Sequence, residues 1–80
     1  MIDREQLATL LIGDITRAIG SLPAGQRAVL LLVTLEDMTY DQVAHTLDIP
    51  VGTVMSRLAR AREKLRDAVL GAARRRAVNG

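Results

Sequence analysis

This chain has no cysteine, no tryptophan and no phenylalanine, and each absence narrows what it can be. Without cysteine it forms neither disulfides nor thiolate metal sites, which fits the reducing cytoplasm, where we expect the protein to reside. No apolar run approaches the roughly 18–20 residues that a membrane span needs, and no secretory pattern opens the chain. Because Tyr40 is the only aromatic residue, the core must consist of Leu, Ile, Val and Ala, as is typical of small helical bundles.

Acidic residues are scarce in the last part of the chain, although the net charge of the whole is only +2. Residues 1–50 carry three arginines and seven acids, net −4, whereas residues 51–80 carry eight basic residues and two acids, net +6. Such segregation indicates a polyanionic partner for the C-terminal third. A solvated basic helix with a frayed end has the same composition, so charge alone leaves both interpretations open.

Apolar residues at helical spacing predict four helices. The first covers about residues 4–19, and its inward stripe consists of Leu7, Leu11, Ile15, Ala18, Ile19 and Leu22. The second covers about residues 23–35, with Pro23 in the first turn, where its missing N–H costs nothing. It is apolar nearly all round over residues 28–33, so some of these side chains should be exposed. We expect this surplus to be a protein-docking surface through which an isolated domain would self-associate.

The third and fourth helices are predicted to follow one another across a tight turn. Thr39 and Gln42 have the spacing of a capping box, which starts a short helix over residues 40–47. Pro50 ends that helix, because the residue before a proline avoids helical conformation. The fourth helix then covers about residues 51–69, and Gly71 with the arginines after it predicts a fraying tail.

Two short helices held at a fixed angle by apolar contacts form a helix-turn-helix. Val43 and Leu47 face inward from the first member, and Val54 and Leu58 face inward from the second. Asp48 occupies the turn position often taken by glycine, and aspartate tolerates the left-handed conformation better than most residues. This pair of helices is the strongest structural prediction in the chain.

The predicted fold class is therefore all-α: one small four-helix domain over residues 1–80, winged-helix-like in its DNA-binding architecture but without a wing. Its ordered core is predicted over about residues 4–70 and a C-terminal tail over 71–80. Neither an enzyme nor a cofactor is expected, because the chain has no glycine-rich phosphate loop, no nucleophile with a plausible base and no carboxylate pair. His45 has no second His or Cys nearby, which favours a surface position over metal binding.

The face of the fourth helix opposite its apolar stripe carries Thr53, Ser56, Arg57, Arg60 and Lys64. A recognition helix contacts base edges with its N-terminal part and phosphates with its flanks and later turns. Ser56 and Arg60 are candidates for base recognition, because arginine can pair bidentately with guanine. Arg57, Arg62 and Lys64 are candidates for phosphate contact, and Thr53 can offer hydroxyl and N–H groups to a phosphate. Tyr40, at a helix start, either bonds a phosphate or packs on the core.

Three segments follow one another at informative spacing: LPAGQRAVLLL at 22–32, YDQVA at 40–44 and IPVGTVMSRLARAREKL at 49–65. Together they resemble sigma region four, the promoter-binding C-terminal domain of extracytoplasmic-function (ECF) RNA polymerase sigma factors. The resemblance implies binding to double-stranded DNA at the minus-thirty-five promoter element, docking on the β-flap of RNA polymerase and occlusion by an anti-sigma factor. It also implies DNA contacts from Met55, Ser56, Ala59 and Arg60, supported by Arg57 and Arg62. Met55 and Ala59 depart from the basic and larger residues that many members carry there.

Two other functions stay open at this point. One is a response-regulator-type output domain, although its recognition helix typically has lysine and histidine where this chain has Met55 and Arg57. The other is a sigma-like interaction module that binds the polymerase flap or an anti-sigma factor without recognising DNA. The neutral Met55 keeps this second alternative open.

Overall fold

The computed structural model describes residues 3–79, with the backbone alone at Asn79. It contains four α-helices, α1 (Arg4–Ser21), α2 (Ala24–Thr34), α3 (Tyr40–Leu47) and α4 (Val51–Asn79), and no strand within these residues. This is the all-α, four-helix class that the apolar spacing predicts. None of the four helices is both long enough and apolar enough to span a bilayer.

Capping boxes start α1 and α3, but not α2. At α3 the Thr39 hydroxyl accepts the N–H of Gln42 (3.1 Å), and the Gln42 side-chain oxygen accepts the N–H of Thr39 (2.8 Å), which confirms the predicted box. Gln26 of α2 has the same spacing from Pro23, but proline offers neither an N–H nor a side-chain acceptor. The Gln26 Oε1 atom is buried and has no hydrogen-bond partner in the described part of the chain.

α4 is the central element, against which the other three helices all pack. The hydrophobic core consists of Leu22, Val29, Leu30, Val43, Val54, Leu58 and Ala61, so the predicted inward stripe of α4 is confirmed over its first three turns. A helix of 29 residues is about 43 Å long at 1.5 Å per residue. This one element accounts for the 47 Å long axis of the molecule.

The corner between α3 and α4 has the predicted helix-turn-helix form. Asp48 adopts the left-handed conformation (φ 55°, ψ 50°), and its N–H bonds to the carbonyls of the last turn of α3. The N–H of Ile49 donates to the Ala44 carbonyl at 3.0 Å. The Pro50 carbonyl then accepts the N–H of Val54 at 3.2 Å, which starts α4. Asp48 therefore takes the role that the sequence assigned to it, and Ile49 packs against the core beneath the turn.

The prediction that α4 ends near residue 69 was wrong. The helix continues through Gly71 to Asn79, where a fraying tail was expected. Ala72 is buried, and Arg76 pairs with Asp14 of α1. A glycine inside a helix costs roughly 1 kcal/mol relative to alanine, which tertiary packing on a neighbouring helix readily outweighs.

The inward stripe predicted for α1 was only partly right. Leu22 is buried, and Leu11, Ala18 and Ile19 are half-buried, but Leu7 and Ile15 are exposed. The buried position in the middle of α1 belongs to Asp14, at 7% exposure, so the contact face is rotated by one residue from Ile15. The first two turns of α1, residues 4–10, are exposed throughout, and the half-buried and buried positions of this helix begin at Leu11.

The six apolar residues at 28–33 lie on more than one face of α2, as expected, but the prediction that some of them are exposed was wrong. Val29 and Leu30 are buried, whereas the other four are half-buried and none is fully exposed. Leu32 and Val33 pack against the edge of the core. The exposed apolar side chain at the C-terminal end of α2 is Leu35, at 74% exposure.

Candidate nucleic-acid interface

The first turns of α4 present a polar face directed away from the core. Because a helix repeats every 3.6 residues, anchoring Val54 and Leu58 in the core turns Met55, Ser56, Ala59 and Arg60 outward. All four outward residues are exposed, Met55 at 53%. The base-recognition candidates Ser56 and Arg60 are therefore accessible, and the core holds the helix from the opposite side.

Basic side chains flank this outward face on both sides. Arg62 and Lys64 are exposed, whereas Thr53 and Arg57 are half-buried. Arg57 is half-buried because its guanidinium lies against Gly25 of α2. A β-carbon at Gly25 would come within 3.2 Å of an Arg57 terminal nitrogen. The Arg57 side chain thus crosses from α4 to the start of α2, a contact that the sequence did not reveal.

The cations of the outward face have no acidic partners. Among the residues that the structure describes, the ion pairs are those of Arg17 and Arg76, and both are made to Asp14. Arg57, Arg60, Arg62 and Lys64 lie outside these pairs and form no ion pair with a carboxylate in residues 3–79. Unpaired cations on a helix face and along both of its sides attract a polyanion such as a phosphate backbone.

Tyr40 and His45 have different environments in the structure. Tyr40 is half-buried, and its side chain packs against the hydrophobic core. His45 is exposed on α3, as expected. Tyr40 remains near the helix-turn-helix corner, but its environment is that of a core residue.

A buried acid was missed in the sequence. Asp14 interrupts the apolar stripe of α1, and an acid within such a stripe is a signal that it has a partner, since unpaired carboxylates are rarely buried. The hydrogen bond from Arg76 lowers the pKa of Asp14, and the charges of Arg76 and Arg17 and the hydrogen bond from Arg17 add to this effect. The i,i+3 partner Arg17 could have been inferred from spacing. Arg76 could not, because it is 62 residues away.

Residues 12–65 match the family described as Sigma-70, region 4. The chain is 41% identical over 54 residues to the ECF RNA polymerase sigma factor SigE of Mycolicibacterium smegmatis, which covers 68% of this chain and 21% of the relative. It is 45% identical over 49 residues to the ECF RNA polymerase sigma-E factors of Escherichia coli and Salmonella typhimurium, which covers 61% of this chain and 26% of each relative.

The chain thus spans about a fifth to a quarter of the length of these relatives. The segment of this chain that matches the family contains α2, α3, the corner at Asp48 and the first turns of α4. The exposed basic face lies on these first turns of α4. Region four is a non-catalytic domain of transcription factors. The match, the four-helix fold and the helix-turn-helix geometry agree, and the chain belongs to the sigma-70 region 4 family, as the region-four domain of ECF RNA polymerase sigma factors.

Proposed function

We propose that this domain binds the minus-thirty-five element of promoter DNA, with the start of α4 in the major groove, and so directs RNA polymerase to promoters. One observation carries the proposal: Ser56 and Arg60 are exposed on the outward face, while Val54 and Leu58 hold the helix from behind. That is the arrangement a recognition helix needs, because its base-contacting side chains must enter the groove without unfolding the domain.

The residues divide into two roles. Arg60 and Ser56 contact base edges, with Met55 and Ala59 beside them on the same outward face. Arg57, Arg62 and Lys64 contact phosphates on either side of the groove and set the register without specifying sequence. Thr53 lies one turn before Arg57, where its hydroxyl and the first N–H groups of α4 can bind a phosphate. Tyr40 contributes at most its phenolic oxygen, since its ring packs on the core.

The protein partners that we propose are the β-flap of RNA polymerase and an anti-sigma factor. Apolar side chains outside the DNA-facing side support a protein contact: Leu35 is 74% exposed at the end of α2, and Ile12 is 64% exposed on α1. The same surfaces would drive self-association of the isolated domain. Light scattering that shows a pure monomer at high concentration would contradict this last point.

A second candidate is a region-four domain that binds polymerase or an anti-sigma factor without recognising DNA. It is favoured by Met55 and Ala59, whose side chains are neutral and carry no hydrogen-bond donor for a base edge or a phosphate. Fewer direct contacts are then available than on a helix with a basic residue at position 55.

One experiment separates the two candidates. The domain is incubated with a pool of randomised duplexes, with and without a fragment carrying the polymerase flap, and the bound DNA is sequenced. Promoter recognition predicts enrichment of one short sequence, strengthened by the flap fragment. Tight flap binding with no enriched sequence would contradict DNA recognition and support the interaction module.

A further inference from the structure

We propose that Gly25 of α2 is a positioning residue for DNA binding, because the absence of a side chain there lets the Arg57 guanidinium lie against α2. The position of this guanidinium decides where its charge meets the phosphate backbone. The inference rests on the proposed function, since it assigns a determinant to the phosphate-contacting flank of the same site.

The contact involves three of the four heavy atoms of the guanidinium. A β-carbon built on Gly25 would lie 3.2 Å from Nη1, 3.3 Å from Cζ and 3.4 Å from Nε of Arg57. Three atoms of one planar group at nearly equal distance mean that the plane faces the glycine. The first two distances are tighter than ordinary van der Waals contact, so a β-carbon at position 25 shifts the Arg57 guanidinium by a few tenths of an ångström, and a larger side chain shifts it further.

The other glycines in the described chain do not share this feature. A β-carbon at Gly20 or Gly52 would meet nothing within 4 Å. At Gly13 and Gly71 it would approach the tip of an arginine on the same helix, at 4.0 and 3.5 Å. Gly25 alone among these five faces a side chain from another helix at close range.

The backbone does not require glycine at this position. Gly25 lies in the first turn of α2, and none of the described glycines has a positive φ. Glycine in a helix is less favourable than alanine because it loses more conformational freedom on folding. Because the backbone does not need glycine here, we assign its role to the space that it leaves for Arg57.

Packing, rather than charge attraction, holds Arg57 in this place. No acid occupies the first turn of α2, and Arg57 is in neither of the ion pairs found across residues 3–79. The N-terminal end of a helix is itself electropositive, which disfavours a nearby cation. The guanidinium is therefore free to form a charge-assisted bond, and it loses less side-chain entropy on binding phosphate than a freely rotating arginine would.

The test compares two glycines in two helices. Gly25→Ala shifts the Arg57 guanidinium slightly, and Gly25→Leu fills its place; Gly20→Ala and Gly20→Leu are the matched controls. Binding of each variant to the preferred duplex and to a random duplex is measured over a range of salt concentrations. The Nε–H resonance of Arg57 is recorded in the same proteins without DNA, and circular dichroism confirms that each is folded.

Gly25→Leu should weaken binding to both duplexes by the same factor and lower the salt slope by about one unit, as loss of one phosphate contact does. The affinity and the salt slope of Gly25→Ala should lie between those of Gly25→Leu and the wild type. The Gly20 variants should have the affinity and the salt slope of the wild type. Combining Gly25→Leu with Arg57→Ala should weaken binding no further than Arg57→Ala alone.

Two results would overturn the inference without touching the proposed function. The first is an unchanged salt slope in Gly25→Leu while Arg57→Ala lowers it. The second is an Arg57 Nε–H resonance that does not move when leucine replaces Gly25. A wild-type domain that binds neither duplex would instead overturn the proposed function, and the inference with it.

Discussion

Arg76, near the end of α4, donates a hydrogen bond to the carboxylate of Asp14 in the middle of α1, 62 residues earlier in the chain. Arg17 contacts the other carboxylate oxygen from the next turn of α1. Asp14 is 7% exposed and Arg76 27% exposed, so the pair is largely withdrawn from water. It joins the segment of α4 beyond residue 69 to the second half of α1.

Asp14→Asn should lower the free energy of unfolding, because it leaves the half-buried Arg76 without its counter-ion. The loss should be greatest around residues 72–78, so amide hydrogen exchange there should accelerate more than at Val54 or Leu58. Arg75→Ala is the matched control, since Arg75 is exposed on the same turn. Uniform acceleration along the whole of α4 would contradict a local clamp.

The stabilising effect of Asp14 should depend on pH. The hydrogen bond from Arg76 lowers the pKa of Asp14 below its ordinary value of 3.8; burial opposes this, and the charges of Arg76 and Arg17 add to it. A carboxyl with a lowered folded-state pKa stabilises the fold above its unfolded-state value, and this contribution is lost as pH falls through the folded-state value.

The difference in unfolding free energy between wild type and Asp14→Asn should therefore be constant above about pH 5 and shrink progressively below it. Denaturant titrations at several pH values measure it. An equal difference at neutral pH and well below pH 3.8 would show that the carboxylate charge is not responsible.

Arg60→Ala and Arg57→Ala should affect DNA binding in different ways. Loss of Arg60 should weaken binding to the preferred duplex by about 1–3 kcal/mol and relax discrimination at one base pair. Loss of Arg57 should weaken binding similarly on any duplex and lower the salt slope by about one unit. Fluorescence anisotropy on specific and random duplexes distinguishes them, with Arg75→Ala as control. If both variants lose affinity equally on both duplexes, the assigned roles are wrong.

Met55→Arg should strengthen DNA binding. Met55 is 53% exposed on the outward face, so an arginine can extend from it without disturbing the core. One additional phosphate contact should steepen the salt slope by about 0.9. Leu70→Arg is the control, because it adds the same charge at a 47% exposed site on the same helix. That site is about 22 Å further along the axis. Equal gains from the two variants would indicate a general charge effect instead of a contact at position 55.

The corner at Asp48 should tolerate glycine better than alanine. A left-handed conformation costs an ordinary L-residue about 1–2 kcal/mol, and glycine avoids this penalty. Asp48→Ala should therefore lower the free energy of unfolding by about 1 kcal/mol, whereas Asp48→Gly should not lower it. At Asp41, inside α3, the order of the same two substitutions should be reversed, because glycine disfavours a helix. The same order at both sites would contradict the role of the left-handed turn.

Local rules predicted the corner and the anchored face correctly. The Thr39–Gln42 box and Pro50 act through neighbouring backbone groups, so α3 and the start of α4 could be placed within a residue. The spacing of Val54 and Leu58 then determined which side chains of α4 face outward. The contribution of each outward residue to DNA binding stays a prediction.

Contacts between distant residues were beyond these rules. Gly71 and the arginines after it have the composition of a frayed end, but that segment is helical in the structure, where Ala72 is buried and Arg76 pairs with Asp14 of α1. The buried position of α1 is Asp14 and not Ile15, and its carboxylate pairs with Arg76, which local spacing could not indicate.

By itself the sequence determined the helical class, the turn at Asp48 and the direction of the Ser56 and Arg60 side chains, because these follow from capping, proline geometry and helical periodicity. Only the tertiary structure decided the length of α4, the pairing of Asp14 with Arg76 and the place of Arg57 against Gly25. Each of these depends on which helices meet in space, and separation along the chain carries no information about that.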